Sequence, residues 1–125
     1  METYNNKPFP APARSKDFST DGLDETETLI ADTILAAMDL HRGPNFDLSG
    51  GGCHAFYTAE EWRGRREAHG THSALVVVHD GGSLASFFNW DYDDDNAVQV
   101  MTTALAKIGY YAESCTCWYT AIYKI

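Results

Sequence analysis

Residues 73–90, SALVVVHDGGSLASFFNW, carry the strongest hairpin signal in the chain. The apolar, β-branched run Leu75-Val76-Val77-Val78 is separated by Asp80-Gly81-Gly82 from a second apolar run over residues 83–90. Two such runs on either side of Asp-Gly are typical of a β-hairpin. Both runs are apolar on both faces, which predicts a sheet that is covered on each side for part of its length.

Three segments around this hairpin have helical patterns. Residues 24–42 begin with a capping box, in which Glu27 follows Asp24 by three positions, and they end at a Gly-Pro pair. A second Thr-x-x-Glu pattern predicts a short helix over residues 59–68. Residues 94–108 repeat apolar side chains at helical spacing and are followed by a glycine, a common C-terminal cap.

The order of these segments predicts an α+β fold. A small, mostly antiparallel sheet combines the hairpin 73–90 with a C-terminal strand over residues 116–125, which are rich in β-formers. Two main helices (24–42 and 94–108) and one short helix (59–68) pack with that sheet. Residues 1–20, rich in Pro, Asn, Ser and Ala, predict an extended N-terminal tail, and residues 21–125 a single compact α+β domain.

Composition limits the classes of partner. The 125 residues are 44% apolar and 13% aromatic, enough for a packed core, and the formal net charge is −9. Such a chain repels nucleic acids and anionic lipid surfaces, so we expect neither to be a direct partner. Apolar runs fall well short of the roughly 20 residues of a membrane span, and the N-terminus lacks a signal-peptide pattern, so the sequence predicts a cytoplasmic protein.

The negative charge is concentrated in two segments without Lys or Arg, residues 17–41 and 67–106. Together they hold thirteen of the eighteen acidic residues: Asp17, Asp21, Asp24, Glu25, Glu27, Asp32 and Asp39 in the first, and Glu67, Asp80, Asp91, Asp93, Asp94 and Asp95 in the second. Charges of both signs normally intersperse on a protein surface. The segregation therefore favours recognition of a basic surface.

Within the first segment, Glu25, Asp32 and Asp39 recur every seven residues. On a helix they form a carboxylate stripe opposite the apolar face, with neighbouring members about 10 Å apart. Leu29 and Leu40 fall between the stripe and the apolar face, where they either widen the core contact or meet a partner.

The second segment contains an acidic knot, Asp91-Tyr92-Asp93-Asp94-Asp95, directly before the third helix. Capping of the helix N-terminus explains one or two of these aspartates. The knot lacks the spacing and the closing Glu of an EF-hand calcium loop, so no metal is expected there. Its remaining carboxylates serve solubility or face a protein partner, with Tyr92 supplying an aromatic contact.

Cysteine and histidine offer weaker candidates. Cys53 and His54 follow three glycines, an arrangement open to a substrate, but no positioned base is evident for a cysteine nucleophile. Cys53, Cys115, Cys117 and His72 include the ligand types of a zinc site but lack the usual paired clip spacing. We therefore expect no catalytic residues, no metal and no cofactor.

The basic cluster Trp62-Arg63-Gly64-Arg65-Arg66 is interpreted as a solvated helix face. Helical spacing predicts a Glu61–Arg65 ion pair and stacking of Arg66 on Trp62.

The leading hypothesis is a non-enzymatic acidic module that binds a basic surface of another protein through Glu25, Asp32 and Asp39 and the acidic knot. Its most specific form is an inhibitor of the mobile-element or phage anti-defence type. Such an inhibitor mimics nucleic-acid charge and blocks the basic groove of a nucleic-acid-binding protein. The first alternative is a small cysteine- or metal-dependent enzyme that uses Cys53, His54 and other histidines. The second is a self-associating structural domain with Leu29, Leu40 and the C-terminal aromatics at its interface.

Overall fold

The computed structural model describes residues 16–42, 54–80, 82–89, 92 and 94–125, and it confirms the predicted α+β class. The helices are α1 (Glu25–Arg42), α2 (Ala59–Gly64), α3 (Ala85–Phe88) and α4 (Asp95–Lys107). The strands are β1 (Phe56–Tyr57), β2 (Leu75–Val78), β3 (Tyr110–Ser114) and β4 (Tyr119–Lys124). None of the helices in these ranges has the length and apolar character needed to cross a membrane.

The four strands form one antiparallel sheet in the order β1-β2-β4-β3. The predicted run Leu75–Val78 is a central strand, and its register with β4 extends from Leu75 opposite Ile122 to Val78 opposite Tyr119. All four of its residues are buried. The prediction that the sheet is covered on both sides is therefore correct for this strand.

Alternation along β2 divides the core into two clusters. Leu75 and Val77 face the larger cluster, which contains the buried faces of α1, α3 and α4. Val76 and Val78 face a smaller aromatic cluster around Trp62 of α2 and Tyr119 of β4. Because successive side chains of a strand point to opposite faces of the sheet, β2 contributes to the core on both sides.

The predicted hairpin over residues 73–90 is wrong in its second half. Ala85–Phe88 forms α3, all four of whose residues are buried, and it packs on α4. A short apolar run is compatible with either a buried strand or a buried helix, and periodicity does not separate the two. The place beside β2 is taken by β4, which comes from the other end of the domain.

The observed hairpin lies at the C-terminus, where β3 pairs with β4. The predicted strand 116–125 is confirmed over Tyr119–Lys124, whereas Thr116 begins the turn rather than the strand. Its Oγ1 accepts hydrogen bonds from the backbone N–H groups of Trp118 and Tyr119, at 3.2 and 3.3 Å. A hydroxyl that bonds the backbone two residues on stabilises such a turn.

Both predicted capping boxes are present. The Asp24 and Glu27 backbone N–H groups each donate to the other residue's carboxylate at 2.8 Å, and Thr58 and Glu61 repeat the arrangement at the start of α2. However, α2 ends at Gly64 instead of continuing to residue 68. Arg66 has a φ of 62°, a left-handed backbone conformation that an α-helix does not accommodate.

Part of the segment predicted as the N-terminal tail contributes to the core. Lys16–Phe18 forms a single 3₁₀ turn, the Ala55 backbone N–H donates to the Asp17 carbonyl at 2.8 Å, and the Phe18 side chain is buried. The boundary of the extended tail remains a prediction, because residues 1–15 lie outside the described ranges.

Gly70 allows a test of close packing in the turn before β2. Its φ is +79°, and a Cβ atom placed on it would lie 3.2 Å from Cβ of Ala121. We expect Gly70→Ala to lower the free energy of unfolding by about 1–3 kcal/mol, measured by chemical denaturation. Gly22→Ala is the matched control, because Gly22 has a φ of +86° but a Cβ atom added to it would have no neighbour within 4 Å. Equal losses at the two positions would contradict a steric contribution from Ala121.

Candidate functional site

The outward face of α1 combines carboxylates with exposed apolar side chains. Glu25 and Asp32 are exposed, and Asp39 is half-buried. Leu29 is 51% exposed and Leu40 is 84% exposed, unlike the fully buried Ile30, Ile34 and Met38 on the opposite face. The predicted stripe therefore shares the outward face of α1 with two apolar side chains that are largely exposed.

An open groove lies between α1 and α4, with a volume of about 560 Å³. Most of its surface is apolar, because alanines and aliphatic side chains line both walls. Thr33, Ala36, Ala37 and Leu40 come from α1; Asn96, Gln99, Val100, Thr103, Ala104, Lys107 and Ile108 come from α4 and the residue after it. Lys107 is the single basic residue among these described lining residues.

Both acidic segments contribute residues that are next to the lining residues in the sequence. Asp32 and Asp39 directly precede the lining residues Thr33 and Leu40, and Asp95 directly precedes Asn96. Asp94 acts as the N-cap of α4, since its Oδ1 accepts the Ala97 backbone N–H at 3.1 Å. Helix capping thus accounts for one aspartate of the knot, and Asp95 is exposed in the first turn.

The rest of the acidic knot is described only in part. Tyr92 is 52% exposed, as an aromatic available to a partner would be. Asp91 and Asp93, which we predict to bind a partner, lie outside the described residues.

The basic cluster lies on the other side of the sheet and is arranged differently from the prediction. Arg65, rather than Arg66, lies over the Trp62 ring, at 4.9 Å from its centroid, and 5.4 Å from that of Tyr57. Arg65 pairs with Glu67 at 3.6 Å, while the Glu61 carboxylate is used by the capping box. The early end of α2 explains the change, because helical spacing no longer holds beyond Gly64.

The described cysteines and histidines do not assemble a reactive site. Cys115 lies in a cleft with His69, His72 and Glu113, but burial raises the pKa of its thiol, the opposite of what a nucleophilic cysteine requires. Within the described residues, no group of three or more Cys, His, Asp or Glu is placed to hold a metal ion. His54 packs edge-on against Tyr57. Cys53 lies outside the described residues, so the alternative in which it acts as a nucleophile stays a hypothesis.

No pattern in the sequence predicts the burial of His79 or the groove between α1 and α4. His79 is 1% exposed, and its Nε2 shares a hydrogen bond of 3.0 Å with Thr120 Oγ1. Only the position of Leu40 between the two faces of α1 hinted at an apolar surface outside the core. The far wall of the groove comes from α4, and nothing in the sequence aligns α4 with α1.

The structure thus defines a small α+β domain that presents an apolar groove with acidic residues along its border. Comparison with protein-family models, with curated proteins and with solved structures finds no match to this chain.

Proposed function

We propose that this protein is an acidic protein-binding module that recognises a basic surface of another protein through the outward face of α1. One observation carries the proposal: the exposed carboxylates of Glu25 and Asp32 share the outward face of α1 with the exposed side chains of Leu29 and Leu40. Apolar groups supply most of the affinity at protein interfaces, and charged groups around them set orientation and association rate.

The negative charge of this face favours a partner with a basic surface. Residues 17–41 contain no Lys or Arg, so this face attracts cations without competition from bases on the same segment. The net charge of −9 strengthens that attraction at longer range and repels nucleic acids. A protein with exposed Lys or Arg around an apolar patch is the partner that fits this surface.

To test this proposal, a partner is captured from an extract of the native host, identified and purified. We expect the double variant Glu25→Gln/Asp32→Asn to weaken its affinity by about three- to tenfold, because each exposed ion pair contributes up to about 1 kcal/mol. Affinity should also fall between about 0.1 and 1 M salt, where the screening length shortens from about 10 to 3 Å. Isothermal titration calorimetry measures both effects.

The matched control is Glu113→Gln, which removes an exposed carboxylate from β3 on the α2 side of the sheet. Its affinity should equal that of the unchanged protein. A partner whose binding is insensitive to salt and to the α1 double variant would refute the proposal.

The inhibitor form makes an additional demand on the same partner. Carboxylates mimic phosphates only where the occupied surface also binds nucleic acid. In a competition assay, the protein should displace labelled nucleic acid from the partner, and the α1 double variant should do so less effectively. A stable ternary complex would leave the binding module intact but exclude the inhibitor form.

A further inference from the structure

The groove between α1 and α4 is long enough to contact a short helix along its length. Its α4 wall extends from Asn96 to Ile108, about 18 Å at 1.5 Å per residue, which matches roughly three turns of a third helix. Apolar side chains from both walls, among them Leu40 and Val100, would contact such a helix as ridges contact grooves in helix packing.

Charged side chains of both signs flank the groove. On the α1 side, Asp32 is exposed next to the lining residue Thr33, whereas Lys107 lies on the α4 side. An occupant that complements Asp32 has an apolar stripe facing the groove and cationic side chains along the flank that meets α1.

We propose that the groove binds an amphipathic basic helix of a partner protein, with aliphatic side chains in the groove and Lys or Arg beside Asp32 and Glu25. The inference rests on the proposed function, to which it adds the structural class of the partner segment. When an apolar groove binds an amphipathic helix, the apolar side chains at positions i, i+3 or i+4, and i+7 of that helix insert into the groove.

Two other occupants fit less well. A second copy of this chain, paired symmetrically through the same face, would bring the Asp32 carboxylates of both copies to one interface, where like charges repel. An extended peptide gains its affinity from unpaired backbone groups of a sheet edge. The groove walls are helices, whose backbone groups bond internally except near their ends.

The test uses a synthetic peptide of about 14 residues with leucines at those anchor positions and lysines on the flanks. A scrambled peptide of identical composition keeps the charge but loses the apolar stripe. By fluorescence anisotropy, we expect the helical peptide to bind about tenfold more tightly than the scrambled one, and to gain helical circular dichroism on binding.

Substitutions in the protein show whether the peptide binds in the groove. Leu40→Ser removes an 84% exposed side chain, so the fold is retained, and binding of the helical peptide should weaken about tenfold. Tyr111→Ser, at an exposed side chain on β3, is the matched control and should leave binding unchanged. Thermal unfolding of each variant verifies that it is folded.

Four outcomes would overturn the inference: equal binding of the two peptides, no effect of Leu40→Ser, no binding of either peptide, or a dimer that Leu40→Ser dissociates in sedimentation. Equal binding that Asp32→Asn weakens would show that charge alone is recognised. In that case the proposed function stands while the helix inference fails. The proposed function itself fails only in the experiment with the native partner.

Discussion

Replacing Trp62 with alanine is expected to lower the free energy of unfolding by about 3–5 kcal/mol, the usual cost of removing a large aromatic side chain from a packed core. Trp62 is fully buried. All residues of α2 are described, and Trp62 is the one buried residue among them. The substitution therefore removes both the centre of the smaller core cluster and the anchor of α2. Chemical denaturation measures the loss.

The contacts of Trp62 explain why this side chain matters more than its neighbours. Its ring lies 5.0 Å from that of Tyr57, 4.9 Å from Tyr119 and 5.9 Å from Trp118, and the Arg65 guanidinium covers it at 4.9 Å. Aromatic pairs and a cation over a ring add to the energy of burial. A domain of this size has a total stability of about 5–15 kcal/mol, so the loss is a large fraction.

Two substitutions serve as controls for this prediction. Leu40→Ala truncates an 84% exposed side chain and should change stability by less than about 0.5 kcal/mol. Trp62→Phe keeps an aromatic ring and removes Nε1–H, which has no hydrogen-bond partner among the described residues, so it should cost clearly less than alanine. Similar losses for Trp62→Ala and Leu40→Ala would show that the smaller cluster is not part of the cooperative core.

Local patterns predicted α1, the start of α2, α4 and β2, because the signals for these elements lie within a few residues. The capping boxes at Asp24 and Thr58 involve partners three positions apart, and both form in the structure. The pairing of β2 with β4 joins Leu75 to Ile122, nearly fifty residues away, and no local pattern contains that information. The incorrect hairpin arose from assigning β2 the nearest apolar segment, which forms α3 instead.

The sequence predicted the carboxylate face of α1 but not the groove beside it. The period of seven placed Glu25, Asp32 and Asp39 on one helix face, and the exposure of Glu25 and Asp32 agrees with that placement. The groove needs two walls, and the packing of α1 against α4 that supplies the second is a tertiary property. Whether these carboxylates bind a partner remains a prediction.

Acidification is expected to destabilise the protein through His79. Burial lowers the pKa of this imidazole from 6.5 to about 4, and the adjacent Asp80 carboxylate opposes the shift only in part. Charging the ring requires both nitrogens to carry a proton. Nδ1 has no hydrogen-bond partner among the described residues, and the ring stacks on Phe88, so the folded protein solvates the imidazolium poorly.

The sign and the size of the effect follow from proton linkage. Between pH 6.5 and about 4 the unfolded chain binds a proton at His79 that the folded protein does not, so the free energy of unfolding falls as the pH falls. At about 1.4 kcal/mol per pH unit, the contribution reaches about 3 kcal/mol near pH 4 and then levels off. Above pH 6.5 it is absent, because the imidazole is neutral in both states.

His79→Gln isolates this contribution, because an amide reaches Thr120 with a hydrogen bond but does not titrate in this range. Denaturation curves of both proteins are recorded at intervals from pH 7 to pH 4. The free energy of unfolding of the unchanged protein minus that of the variant should fall by about 3 kcal/mol over this range, since only the unchanged protein loses the His79 term. Subtracting one pH profile from the other also removes the contributions of the carboxylates and of the other four histidines, which both proteins share. Parallel pH profiles would mean that the folded protein protonates His79 as readily as the unfolded chain does, and that its burial costs the charged form nothing.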